Sequence, residues 1–245
     1  MFESFTALQI AVAFGAALGS AFVRGLTGFG MAILLVPVLA LALPPVEAMM
    51  LTNALSLMLG ATEIRTLVRD AEKSAWMIGA AVVVTTPLGL YALSLTGRDV
   101  ARLVIALIAV SAFVAILLPR RGSAMPGRAV TGGVGVLSGL MTGYAGMPGP
   151  PVVPYYAGRD LPRATAKASM QLIFTIAATT GLASAAWLGI LRPELLLFAL
   201  LILPVIIAGN KLGARVSGRV SDPLWRASVG LVLGGAALAA MLRLI

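Results

Sequence analysis

Two glycine-rich breaks interrupt an otherwise nearly continuous succession of apolar runs, and they constrain this chain more than any other feature. The first is RGLTGFGMAILLVP, Arg24 to Pro37, and the second is SGLMTGYAGMPGPPVVP, Ser138 to Pro154. In each, a run of helical length stops at a glycine cluster, passes an aromatic residue (Phe29, Tyr144) and restarts as a short apolar piece ending in proline. Backbone groups left unpaired in hydrocarbon are strongly destabilising, so non-helical backbone at membrane depth persists only inside protein or beside a polar cavity. Corresponding Gly/Pro interruptions in two halves of a transporter mark where substrate binds. The breaks therefore read as paired broken helices around one site.

The membrane assignment rests on composition. Of 245 residues, 60% are apolar and 11% charged, with mean hydropathy +1.01. Runs able to cross ~30 Å of hydrocarbon recur from end to end, leaving no stretch for a separate soluble domain. Residues 1–245 are expected to form a single transmembrane domain in contact with the lipid bilayer. The run from Ala7 to Val23 lacks the basic leader region of a cleaved signal peptide and is expected to be retained. The net charge of +9 lies in short loops between apolar runs, where the positive-inside rule accounts for it, and no nucleic-acid motif accompanies it. With no cysteine and no histidine, disulfides, thiol chemistry, Cys- or His-bound zinc or haem, and Ser-His or Cys-His catalytic pairs are excluded. No cofactor or metal is expected.

Ten apolar segments fall at about 7–23, 29–43, 46–65, 75–96, 100–118, 129–143, 147–157, 166–189, 194–210 and 227–244. Segments two and seven are too short to cross upright. If each break turns a hairpin, one side collects Arg65, Arg69, Lys73, Arg120, Arg121, Arg128, Arg159, Arg163, Lys167, Lys211, Arg215, Arg219 and Arg226. The other side then holds Arg98, Arg102, Arg192 and Arg243. If each break merely interrupts one crossing, the tallies become eight against nine, with Arg24 outside both. Only the hairpin gives a bias, which places both termini outside and the loops near 70, 124, 162 and 218 in the cytoplasm. Five elements per half is an odd number, so the second half enters from the opposite side. The predicted fold is all-α and polytopic, with about 8–10 transmembrane segments in an inverted repeat. Repeat 1 covers about 1–119, repeat 2 about 129–245, and a short cytoplasmic join 120–128. Leu88-Gly89 followed by Arg102 matches Leu212-Gly213 followed by Arg226, each 124 residues on.

The breaks supply the candidate site. A half-helix N-terminus presents unpaired N–H groups and about half a positive charge, and glycine admits close approach of a ligand. Gly25, Gly28, Gly30, Gly139, Gly143 and Gly146, with the hydroxyls of Thr27 and Thr142 and the aromatic Tyr144, suit a sulfonate, sulfate or carboxylate. The competing reading is close helix packing through small residues. Arg24 either holds an oxyanion with paired N–H bonds or reaches to headgroups. Asn53 with Thr52, and Gln171 with Ser169, occupy similar places in the long helices after each break, where they either face one cavity or bond between helices. Tyr155 and Tyr156 fit an interfacial aromatic belt or stacking on substrate. Lys167, Asn210 and Lys211 read as topology signals or a basic vestibule. All nine acids fall at or near segment ends, so no buried carboxylate announces itself as a proton carrier.

Together with the closing GNKLGARVSGRVSDPLWRASVGLVLGGAALAAML, the motifs GLTGFG…VP and GLMTGYAG…PPVVP resemble the sulfite exporter TauE/SafE family of membrane permeases. The resemblance implies a multi-pass anion transporter of the bacterial inner membrane, with sulfite, sulfoacetate, sulfolactate or related C1–C3 organosulfonates as the small anionic substrate. The family pattern carries over onto Gly25, Gly28, Gly30, Gly139, Gly143, Gly146, Pro37 and Pro154. Export of a monoanion from a negative interior is favoured by about 2.3 kcal/mol per 100 mV, so an exporter needs no coupling ion. Both termini are expected in the periplasm. Alternatives are a carboxylate permease on the same scaffold, a non-transporting scaffold, and an intramembrane enzyme, which the lack of buried acids to orient a nucleophile disfavours. Gly230 with Gly234 suits either a homodimer or packing within one chain.

Overall fold

The computed structural model describes residues 6–117, 126–157 and 159–216. Among the described residues there are nine helices and no strand: α1 (Ala7–Thr27), α2 (Met31–Ala42), α3 (Pro45–Asp70), α4 (Lys73–Ser94), α5 (Arg98–Leu117), α6 (Arg128–Ala145), α7 (Gly149–Ala157), α8 (Arg163–Trp187) and α9 (Pro193–Val216). The tenth expected segment, most of the join, and Gly230 and Gly234 lie outside the described residues. Four helices, α1, α4, α9 and Ala164–Trp187 of α8, are long and apolar enough to cross a membrane. With 12 and 9 residues, α2 and α7 reach only about 18 and 14 Å, as half-helices should.

Both breaks turn the chain back. Thr6 and Gln9 form a capping box at the start of α1, and the Gln9 side-chain amide also donates to the carbonyl of Ala42 at 2.7 Å. The first turn of α1 therefore lies beside the last residue of α2, which is the geometry of a hairpin. α3 and α8 cross at the centre and run antiparallel, with Asn53 against Gly181 and Gly60 against Thr175. Had each break interrupted a single crossing, the repeat would have made these two helices parallel. The charge bias and the backbone thus agree on an inverted repeat.

The other pairings follow the same inversion. α1 packs on α9, and α6 packs on α4. At the first crossing, a methyl on Gly25 would strike the backbone of Asn210 and Ala214, and one on Gly213 would strike Phe22 and Leu26. At the second, Gly143 faces Thr86 and Leu90, and Gly89 faces Leu140 and Tyr144. Each of these contacts maps onto its counterpart through a shift of 118 residues for α1 and α6 or 124 for α4 and α9. Backbone-to-backbone packing of this kind is what small residues permit between membrane helices. Since each half contributes one helix to the other's pair, the tightly packed bodies are α1/α9 and α4/α6, not the two halves of the sequence.

The ends of the helices sort by charge. The Arg159 guanidinium binds both carboxylate oxygens of Glu72, at 2.5 and 2.6 Å, and Ser169 accepts from the Glu72 N–H at 2.8 Å, tying the α3–α4 and α7–α8 loops at the arginine-rich end. Arg192 pairs with Glu47 at the opposite end.

Candidate functional site

Each break ends its first helix in a left-handed glycine. Gly28 (φ +88°) closes α1 with its N–H on Arg24 O, and Gly146 (φ +64°) closes α6 with its N–H on Thr142 O, both at 2.7 Å. Such a cap requires glycine, because a Cβ crowds the backbone there. Over each glycine lies a side chain from the opposing long helix. A methyl on Gly28 would meet Lys167 Cγ of α8 at 2.8 Å, and one on Gly146 would meet Met49 Cγ of α3 at 3.2 Å.

Between the breaks lies a cavity of about 30 Å³. That is room for two waters or so, far short of a sugar or nucleotide. Gly30 and the first turn of α2 line it from one side, Gly146, Pro148 and Gly149 from the other. Asn53 and Ser56 of α3, and Gln171, Phe174, Thr175 and Ala178 of α8, form further walls, and Arg24 and Phe29 complete it. No acidic side chain is among these residues.

The chemistry of the lining is that of donors. Gly30 caps α2 without any side-chain bond, so the N–H groups of Met31, Ala32 and Ile33 form the free first turn of that helix. Gln171 is 4% exposed, and its side-chain N–H group has no partner among the described residues. A buried unpaired donor destabilises the fold by about 1–3 kcal/mol, which an acceptor in the cavity would recover. The second half-helix contributes less than its partner. Pro150 and Pro151 occupy the first turn of α7 and carry no N–H, leaving Gly149 as the donor nearest the break.

Five of the expected site residues come together at this cavity: Arg24, Gly30, Asn53, Gly146 and Gln171. The other seven stand elsewhere. Gly25 and Gly143 serve the α1/α9 and α4/α6 crossings, and Gly139 packs against Val82 and Thr85. Gly28 shapes the turn with Thr27, whose hydroxyl accepts from Phe29 N–H at 3.3 Å and lies 2.9 Å from Val23 O. Thr142 bonds back to Ser138 O at 2.7 Å, and Tyr144 is half-buried among apolar side chains. Ser56 and Thr175 were missed. They sit three and four residues after Asn53 and Gln171, so helical spacing from those two amides would have found both.

Arg24 does not reach to headgroups. It is 7% exposed, donating to Asn210 Oδ1 at 3.0 Å and to Glu63 Oε2 at 3.1 Å. Glu63 lies near the end of α3, and its pairing with a buried arginine could not be read from its place in the sequence. Tyr155 and Tyr156 belong neither to a belt nor to the cavity. Both are buried, bonded to Thr131 and Ser74, with the Arg159 guanidinium 5.3 and 5.9 Å from their ring centres. Burial alone would raise the Glu72 pKa, but the hydrogen bonds from Arg159 and Ser74 and the Arg159 charge bring it below the ordinary carboxyl value.

A family model described as sulfite exporter TauE/SafE matches residues 12–240. No curated protein and no solved structure matches the chain.

Proposed function

Because the chain belongs to the sulfite exporter TauE/SafE family, a family of membrane transporters and not of enzymes, we propose that it carries a small sulfur oxyanion, sulfite or a C1–C3 organosulfonate, through the cavity between its two broken helices. The observation that carries the substrate class is the unpartnered Gln171 amide beside the free first turn of α2, in a cavity without an acidic wall. Donors that converge with no carboxylate beside them favour an anion.

Transport proceeds by alternating access. The glycine-packed pairs α1/α9 and α4/α6 move as bodies about the α3/α8 centre, which carries Asn53 and Gln171, so the walls shift while the amides stay. The arginine-rich end faces the cytoplasm of a bacterial inner membrane, the termini face the periplasm, and the membrane potential drives the anion outward. The chain works as a single transmembrane domain.

Anion binding to the purified protein tests the reading through thermal stabilisation by sulfite, sulfoacetate and taurine, with malonate as the carboxylate comparison. Occupancy at ten times Kd stabilises the native state by about 1.4 kcal/mol. Gln171→Met should retain or raise stability without ligand, since it removes the unpaired donor, and should lose most of the response to sulfite. An undiminished response in that variant would falsify the site. A stronger response to malonate than to any sulfur anion would move the substrate class to carboxylates.

A further inference from the structure

We propose that Glu63 is an exchangeable counter-ion: it holds Arg24 while the cavity is empty and yields it to the entering anion, thereby setting how tightly the anion is held. This rests on the reading of the cavity as an anion site. Arg24 lines the cavity and is almost wholly buried, whereas the Glu63 side chain is 35% exposed and does not line it. A buried guanidinium left without a partner is strongly destabilised, so Arg24 must always hold an anion. Glu63 is the less buried of the two and can leave at lower cost.

The displaced carboxylate has a second partner. Lys167, half-buried on α8, lies with its stem over Gly28, one turn beyond Arg24, within electrostatic reach of Glu63. With the cavity empty, Arg24 is held by Glu63 and Asn210; with an anion present, Arg24 is held by the anion and Asn210, and Glu63 turns to Lys167. With the cavity empty, Arg24, Glu63 and Lys167 carry one excess positive charge, which a bound monoanion neutralises. The carboxylate weakens the site by competing for Arg24, which keeps a cavity with a guanidinium and a helix N-terminus from trapping its substrate.

Comparison of the two halves shows that the device is built at one end only. The shift of 118 residues takes Arg24, Glu63 and Lys167 to Thr142, Gly181 and Met49, and the shift of 124 takes Asn210 to Thr86. None of these is charged. Met49 covers Gly146 as Lys167 covers Gly28, so the same mechanical part recurs without its charge.

The test is sulfite binding by wild type, Glu63→Gln, Lys167→Met and the double variant, each checked for a single cooperative unfolding transition. Glu63→Gln keeps shape and hydrogen bonding but removes the competing charge, so sulfite Kd should fall about tenfold. Lys167→Met removes the second partner and should raise Kd, and this effect should vanish in the Glu63→Gln background. A purely structural ion pair predicts the reverse for Glu63→Gln, with weaker binding and lower stability together. Unchanged or weaker binding in a folded Glu63→Gln overturns the exchange and leaves the anion site standing. Absence of sulfite binding in wild type and all variants overturns both. Should Glu63→Gln fail to fold, Lys167→Met decides alone, weaker binding supporting the exchange and unchanged binding overturning it.

Discussion

Two buried side-chain groups lack partners among the described residues, and they stand in different surroundings. Gln171 is a lining residue of the cavity; Thr52 is fully buried and does not line it. An unpaired hydroxyl is a burden that an apolar replacement of the same shape removes. Thr52→Val is therefore expected to leave stability unchanged or raise it by about 1 kcal/mol, with anion binding intact. Thermal unfolding in detergent with and without sulfite measures both. A loss of sulfite response on Thr52→Val would instead make the hydroxyl part of the site. The same contrast explains what could be read in advance at this scale. Asn53 and Gln171 stand out because amides are rare in apolar spans, and both reach the cavity. Glu63 does not stand out, since an acid near a helix end usually meets water, and only folding brings it to Arg24, 39 residues earlier.

At the scale of elements, one letter serves two purposes. Glycine ends α1 and α6 at Gly28 and Gly146, where the backbone is left-handed, and it also lets helices touch at Gly25, Gly89, Gly143 and Gly213. The sequence locates the breaks but does not say which glycine of a cluster does which, because Gly143 and Gly146 are three residues apart and differ only in what lies opposite. Helix positions were legible from hydropathy, and the hairpin from loop charge. The exchange of α1 and α6 between halves was not, since it depends on contacts between residues far apart in the chain. A methyl at a crossing must push two backbones apart, and overpacking of this kind costs about 1–3 kcal/mol. Gly89→Ala and Gly213→Ala are expected to destabilise by that amount each. Gly15 has open space around it, so Gly15→Ala should be neutral or stabilising by up to about 1 kcal/mol. Equal stability of all three variants in thermal unfolding would mean that the crossings are looser than this.

For the whole molecule, the ion pairs fix which loops share an end, and the excess of arginine at one end is the ground for expecting that end in the cytoplasm. Glu72 with Arg159 joins two loops of the arginine-rich end, and Glu47 with Arg192 joins two elements at the other. Gly97, in the turn between α4 and α5, belongs with the second group; Asp160, next to Arg159, belongs with the first. A chain without cysteine makes this testable without background, since one introduced thiol is the whole signal. Gly97 tolerates the change sterically, with nothing within 4 Å of an added Cβ. In intact cells a membrane-impermeant maleimide should label Gly97→Cys, and should label Asp160→Cys only after permeabilisation. The reverse pattern would keep every helix in place but turn the molecule over. The Arg24, Glu63 and Lys167 cluster would then meet the anion on the periplasmic side, while the outward drive of the membrane potential on an anion would be unchanged. Labelling of both thiols in intact cells would contradict the separation of the two ends, and with it the antiparallel crossing of α3 and α8 from which the inverted repeat follows.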